Sequence, residues 1–400
     1  MLKRFSLIII AFILLPIIVT PSFSYTPSSS ENAWVQKAPM QQARGHVGVA
    51  VVNGKIYAIG GYNESGRMYG NNDTKIVATT EKYDPATDMW TFEAPMPSAR
   101  YGFAIATYKD KIYCMGGGKN EVYDTATNAW GTKTPMPTDR AGVQANTIDG
   151  KIYVVGGFNY SQSNTDLNEV YDPETDTWTT KAPLPYASCS YASAVFNGKL
   201  YVFGGQAEDV SGLFLQNMTQ VYDPKNDLWS MGASSPYDTF FAQAGVTTGI
   251  KAPQRIYLFD VGSHSRPSGQ IYDPSSDSWS VGVAQPTNRM AFSIVVVDDL
   301  LYAIGGISYK DASPFDAINP NTYVTVFALN EQYTPFGYGT IQSTTTPDNS
   351  IQPTQSPEIP QTNQLTRPEQ MLETVIITTV ITLIVSITLG LIIYFKRIHH

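Results

Sequence analysis

Short apolar runs separated by two-residue turns fill the middle of the chain. From Val47 an apolar run leads to Asn53-Gly54, and Lys55-Ile56-Tyr57-Ala58-Ile59 resumes it. Asn-Gly adopts positive φ readily, so the pattern predicts two antiparallel strands joined by a type I′ turn. Asp149-Gly150 and Asn197-Gly198 repeat the device, while Lys109-Asp110 and Asp298-Asp299 stand in for it. A glycine pair then ends the second strand, at Gly60-Gly61, Gly116-Gly117, Gly156-Gly157, Gly204-Gly205 and Gly305-Gly306, with Val261-Gly262 as a sixth, altered copy. Such pairs mark places where a Cβ is not tolerated and backbones approach closely. A third strand carries a tyrosine followed by Asp-Pro or a similar turn: Tyr83, Tyr123, Tyr171, Tyr222, Tyr272 and Tyr333. A tryptophan lies on the fourth strand.

The tryptophans, Trp34, Trp90, Trp130, Trp178, Trp229 and Trp279, are 56, 40, 48, 51 and 50 residues apart. A period near 50 with four short strands per unit predicts an all-β fold, a six-bladed β-propeller. One such sheet cannot bury its own faces, so blades stack, with the Tyr and Trp rings filling the layers between them. The phased residues resemble the kelch family over residues 33–335, and the resemblance implies a kelch-type propeller. Trp34 precedes any hairpin, and the last hairpin (Ala291 to Ile304) is followed by Tyr333 but by no tryptophan. Residues 33–37 are therefore expected to close the ring as the outer strand of blade six, which removes a free edge.

The flanks predict a different environment for each end. Residues 1–24 read as a secretory signal peptide: Lys3-Arg4, an apolar stretch from Phe5 to Val19, then Ser22 and Ser24 before the expected cut. Residues 336–371, rich in Thr, Ser, Pro and Gln, read as a disordered stalk. Residues 375–395 carry no charge and are long enough to span about 30 Å of hydrocarbon. Lys396-Arg397 follow, so the tail 396–400 is expected in the cytoplasm and the propeller outside it, on a single-pass membrane protein.

Charge and cysteine content narrow the function. The formal net charge of the 400 residues is −8, with no basic cluster outside the terminal flanks, which argues against nucleic acid. The two cysteines, Cys114 and Cys189, fall in non-adjacent blades, so no disulfide is expected. Four sequons, at Asn63, Asn72, Asn159 and Asn217, are glycosylation candidates placed in the loops after the glycine pairs.

Arg44, Arg100, Arg140 and Arg289 each stand 16 residues before their glycine pair, at the entrance to the innermost strand. Four guanidiniums near a channel suggest an anion site. The rival account is structural. Glu81, Glu121, Glu169 and Glu331 stand two residues before the tyrosine in the same four blades, whereas blades four and five lack both partners. Arg–Glu ion pairs within each blade are the favoured reading. Galactose-oxidase-like propellers share the repeat and use copper, but His46 and His264 lack nearby ligand partners, so they read as surface residues.

A resemblance to sialate-epimerising propellers keeps a sugar mutarotase as an alternative, yet no acid–base pair can be mapped. No catalytic residue, metal or cofactor is assigned. The expected function is a cell-surface binding or adhesion module for protein or glycan ligands; the alternative is an extracytoplasmic carbohydrate-active enzyme. The candidate binding face is set on the variable loops: Tyr62, Arg67, Tyr69, Phe158, Tyr160, Phe214, His264, Arg266, Tyr309, Lys310 and Phe315.

Overall fold

The computed structural model describes residues 31–63, 65–67, 76–159, 164–209, 212–239, 241–260, 269–310 and 323–340. They contain six four-stranded antiparallel sheets. Blade one, for example, runs Gly48–Val52, Lys55–Ile59, Thr80–Asp84 and Met89–Glu93 from the inside outward. Each innermost strand touches that of the next blade, and the sixth (Ser293–Val297) touches the first, so the ring is closed. Blade six takes its outer strand from Ala33–Gln36, which pairs with Asn330–Thr334 in the register Trp34 opposite Tyr333.

That register recurs. In all six blades the tyrosine of the third strand lies opposite the tryptophan of the fourth, with ring centroids 4.9–5.2 Å apart. The buried side chains form one cluster between each pair of neighbouring blades. Blade one meets blade two, for instance, through Tyr57, Ile59, Phe103, Ile112 and Tyr123. Stacking of like sheets is thus what buries the apolar faces.

The glycine pairs are contact points between blades. A Cβ on Gly60 would lie 2.6 Å from the Arg100 carbonyl of the next blade, and the Gly61 N–H donates to that same oxygen at 3.0 Å. Blade two departs from this plan. Its strands Lys111–Gly116 and Lys119–Asp124 are joined directly at Gly117-Gly118, both left-handed at φ 62° and 68°, so its glycines do not reach blade three. In blade four the paired strands run on past the glycines, Lys199–Asp209 with Gly212–Asp223, with a register shift between Phe203 and Gly205. After Gly306, Ile307–Lys310 and Tyr323–Val326 join Gly66–Arg67 of blade one in a separate three-stranded sheet.

Several expectations need adjustment. Residues 336–340, assigned to the stalk, form a turn held to the propeller: Gly337 N–H donates to Glu31 and Gly339 N–H to the Lys251 carbonyl. Asn217 lies in a strand rather than a loop, and its Nδ2 donates to the Ser235 carbonyl at 3.0 Å. Asn72, the leader 1–24 and the span 375–395 lie outside the described residues, among which no helix is long and apolar enough to cross a membrane. Cys114 and Cys189 are both buried and free, and burial pushes their thiols up to about 12 and about 11.

Candidate functional site: the channel mouth

At the entrance to each innermost strand, two residues after the arginine position, the chain enters the left-handed region. The six residues are His46, Gly102, Gly142, Ser190, Phe241 and Ala291, with φ between 47° and 66°. Only two are glycine, although side-chain-bearing residues avoid this region at a cost of about 1 kcal/mol or more. The conformation turns each peptide along the ring. His46 N–H donates to Ala291 O, Gly102 to His46, Ser190 to Gly142, and Phe241 to Ser190, at 2.8–3.2 Å. Two arcs result, one through blades six, one and two, the other through blades three, four and five. The arcs are not joined between blades two and three, where the glycine contact is also missing.

This collar surrounds a cavity of about 840 Å³ at the channel mouth, within the usual range for ligand pockets. The two arcs line it differently. Blades six, one and two contribute the aliphatic Val47, Val49, Ile105 and Ile294 beside His46, Arg100 and Tyr101; blades three, four and five contribute most of the amides and hydroxyls, among them Gln144, Ser193, Gln206 and Gln243, beside Val143, Phe158 and Phe241. Gln144 is fixed by Ser193, whose N–H and hydroxyl both donate to its side-chain oxygen at 2.9 Å, and Asn146 donates to the Ser193 hydroxyl at 2.7 Å.

The arginines lie beside the mouth, each against the glutamate of its own blade. Arg44 reaches Glu81 at 2.9 Å with both side chains fully buried, and Arg140 and Arg289 pair with Glu169 and Glu331. Arg140 also donates to the carbonyls of Thr138, Val154 and Gly156, and Arg289 to the equivalent three. Burial lowers the Arg44 guanidinium to about 10 despite the opposing pull of Glu81. Arg100 differs. It approaches Glu121 at 2.8 Å and donates to Cys114 O, but its Nε has no acceptor among the described residues. In blades three and six that nitrogen uses the first glycine's carbonyl; in blade one Arg44 reaches it through Nη1, and its Nε, like that of Arg100, has no acceptor among the described residues. In blades four and five, Ser188 and Thr239 take the arginine position and Gln220 and Gln270 the glutamate position, all buried.

His46 is half-buried at the wall of the cavity rather than on the outer surface. It lines the cavity within 6.0 Å of the rings of Tyr62, Tyr101 and Phe241, and burial lowers its imidazolium to about 4. No group of three His, Cys, Asp or Glu side chains able to hold a metal occurs among the described residues, and His264 lies outside them.

The candidate face is only partly assembled. Phe158 lines the mouth. Tyr62 is buried, packed with Met290, Ile307 and Val324, so it supports the face rather than presenting a ring to solvent. Tyr309 packs against the same cluster. Arg67, Phe214 and Lys310 lie in strands described only by their backbone; Tyr69, Tyr160, Arg266 and Phe315 lie outside the described residues. The sequence reading did not single out the collar or the cavity amides. The available signal was the Arg-X-Gly spacing at Gly102 and Gly142, hidden in the other four copies by His46, Ser190, Phe241 and Ala291.

Comparison with known proteins agrees with this architecture. The family model described as the KLHDC2/KLHL20/DRC7 Kelch-repeats domain matches residues 48–259 and, in an overlapping match, 119–306. Beta-scruin of Limulus polyphemus is 36% identical over 99 residues, 25% of this chain and 10% of its own length. The influenza virus NS1A-binding protein homolog of Mus musculus is also 36% identical over 99 residues, covering 25% of this chain and 14% of that protein. Kelch-like protein 36 of Bos taurus is 33% identical over 95 residues, 24% and 14%. These relatives are thus matched over only a small part of their own length. The solved structure of YjhT superposes with a TM-score of 0.54 over 72% of this chain and 95% of that one, at 16% identity, a likeness of fold alone. With six phased sheets closed on themselves and a family model spanning more than half of its residues, the chain belongs to the kelch-repeat family.

Proposed function

We propose that the protein is a recognition module whose propeller binds a segment of a protein partner at the channel mouth. The observation that carries the reading is the cavity itself, at the face where the variable loops emerge, lined by side chains that hydrogen-bond and pack. The Mus musculus relative is named as a homolog of an influenza virus NS1A-binding protein, which supports a protein ligand here. Acid–base or metal chemistry gets little support, because the cavity lining contains no carboxylate among the described residues. We further infer from the apolar 375–395 and the leader-like 1–24 that the propeller is displayed outside a membrane, with the chain between them as a spacer.

Two experiments test these parts separately. Full-length protein in detergent is screened against surface-protein ectodomains and a glycan array, beside Tyr101→Glu at the mouth and Phe92→Glu on an outer strand, both exposed positions. Retention of a protein ligand that Tyr101→Glu abolishes and Phe92→Glu spares supports the reading. Equal effects of the two, or turnover of a sugar, would sink it. Alkaline extraction of membranes should leave the intact chain in the pellet and release one lacking 375–395; release of both would remove the anchor.

A further inference from the structure

We propose that the channel mouth selects an uncharged peptide segment, with aliphatic side chains against blades six, one and two and amide or hydroxyl groups toward blades three, four and five. The inference rests on the protein-recognition reading above and adds the chemistry of the ligand.

The arginines invite the opposite conclusion, an acidic ligand. Their charge is already matched. Arg100 and Arg140, the two that line the cavity, face Glu121 and Glu169 within their own blades. The lining holds no lysine and no carboxylate among the described residues, and enclosure keeps His46 neutral above about pH 4. A charged segment entering this space would lose its water and meet no unpaired counter-charge, which is costly.

The Nε of Arg100 lacks an acceptor among the described residues but is buried out of reach, and the remaining hydrogen-bonding capacity is neutral. The side-chain amides of Gln206 and Gln243 line the cavity, half-buried, without hydrogen-bond partners among the described residues. Gln144 and Asn146, in contrast, are committed to Ser193. On the opposite arc Val49, Ile105 and Ile294 form an aliphatic wall.

The full chain in detergent is titrated with labelled peptides of equal length that share Leu and Val positions and vary three others as Ser/Asn/Gln, Glu or Lys. The neutral set should bind about tenfold more tightly than either charged set. Its affinity should not change with salt, since no ion pair forms. The double variant Gln206→Leu, Gln243→Leu should weaken the neutral peptides about tenfold, the scale of two lost neutral hydrogen bonds. Its Tm should stay unchanged, because these side chains hold nothing else in place. Tightest binding of the Glu set, weakening with salt, overturns the inference and leaves protein recognition standing. Binding of neutral oligosaccharides in place of peptides overturns both. Silence of every peptide while a protein ligand is retained, or indifference to the double variant, also overturns it.

Discussion

Five of the six blade interfaces are fastened alike, and the sixth is not. At the five, an Asp or Asn in the outer turn (Asp88, Asn128, Asp176, Asp227 or Asp277) accepts the tyrosine hydroxyl of its own blade. The same side-chain oxygen accepts the N–H of one residue in the preceding blade: Ala38, Ala94, Thr134, Ala182 or Ala233. That residue's carbonyl in turn accepts the indole N–H of the tryptophan. Between blades five and six the pattern stops halfway. Asn32 accepts the Tyr333 hydroxyl, but the Trp34 indole nitrogen is buried without a partner among the described residues. Val283, the position corresponding to Ala233, is exposed.

A different device secures this seam. The buried Asp299 carboxylate accepts N–H groups of Thr248, Ile250, Lys251 and Ala252, on a loop of blade five that replaces the usual two-residue turn. The terminal turn adds Gly339 to Lys251 O. In blade six the third and fourth strands come from opposite ends of the propeller, so no continuous turn links Tyr333 to Trp34 and Asn32 stands where the other blades have the turn's Asp or Asn.

The contrast can be broken most severely by deleting residues 31–37. Blade six then loses its outer strand, and chemical denaturation should show loss of a single cooperative transition. Next comes Asp299→Ala, which strands several N–H groups around a buried site and should cost about 3 kcal/mol. Asp176→Ala, on a more exposed clasp, should cost about 1–2 kcal/mol. Urea midpoints of the two variants measure the difference, and equal losses would erase the distinction.

Acid should weaken both devices. Burial raises the Asp299 carboxyl, but the N–H groups of Thr248, Lys251 and Ala252 outweigh it and leave the group below its ordinary value. Asp88 and Asp227 are lowered chiefly by the hydroxyls of Tyr83 and Tyr222. Depressed groups stabilise fully above the unfolded value of about 3.9 and lose that contribution as pH falls through the folded value. Stability measured from pH 6 to 2 should therefore drop, with a shallower drop in Asp299→Asn. The smallest effect separates two tryptophans. Trp178→Phe breaks a hydrogen bond to Thr134 O and should cost about 1 kcal/mol more than Trp34→Phe, which removes a donor that has no acceptor.

The repeat made the blades legible in the sequence. Gly-Gly, Tyr and Trp mark positions where every blade meets its neighbour, so each copy carries the same constraint. Asp-rich turns after the tyrosine were legible as turns, yet their reach into the preceding blade was not, since the N–H they capture belongs to whichever residue follows the outer strand. The site was harder to see. Tyr62 reads as an exposed loop aromatic and is buried, because the loops of blades one and six fold over it as a sheet of their own. Gln206 follows its glycine pair as Tyr62 and Phe158 do, and Gln243 stands four residues past the arginine position as Gln144 does, but the residue type changes from copy to copy and carries no signature beyond ordinary polarity.

The left-handed collar has a consequence for how such a mouth changes over time. Its backbone groups are largely occupied by neighbouring blades, so an incoming molecule meets side chains and little main chain. Since His, Ser, Phe, Ala and Gly all hold the same bend, the rim can exchange its chemistry one residue at a time while the ring beneath keeps its shape.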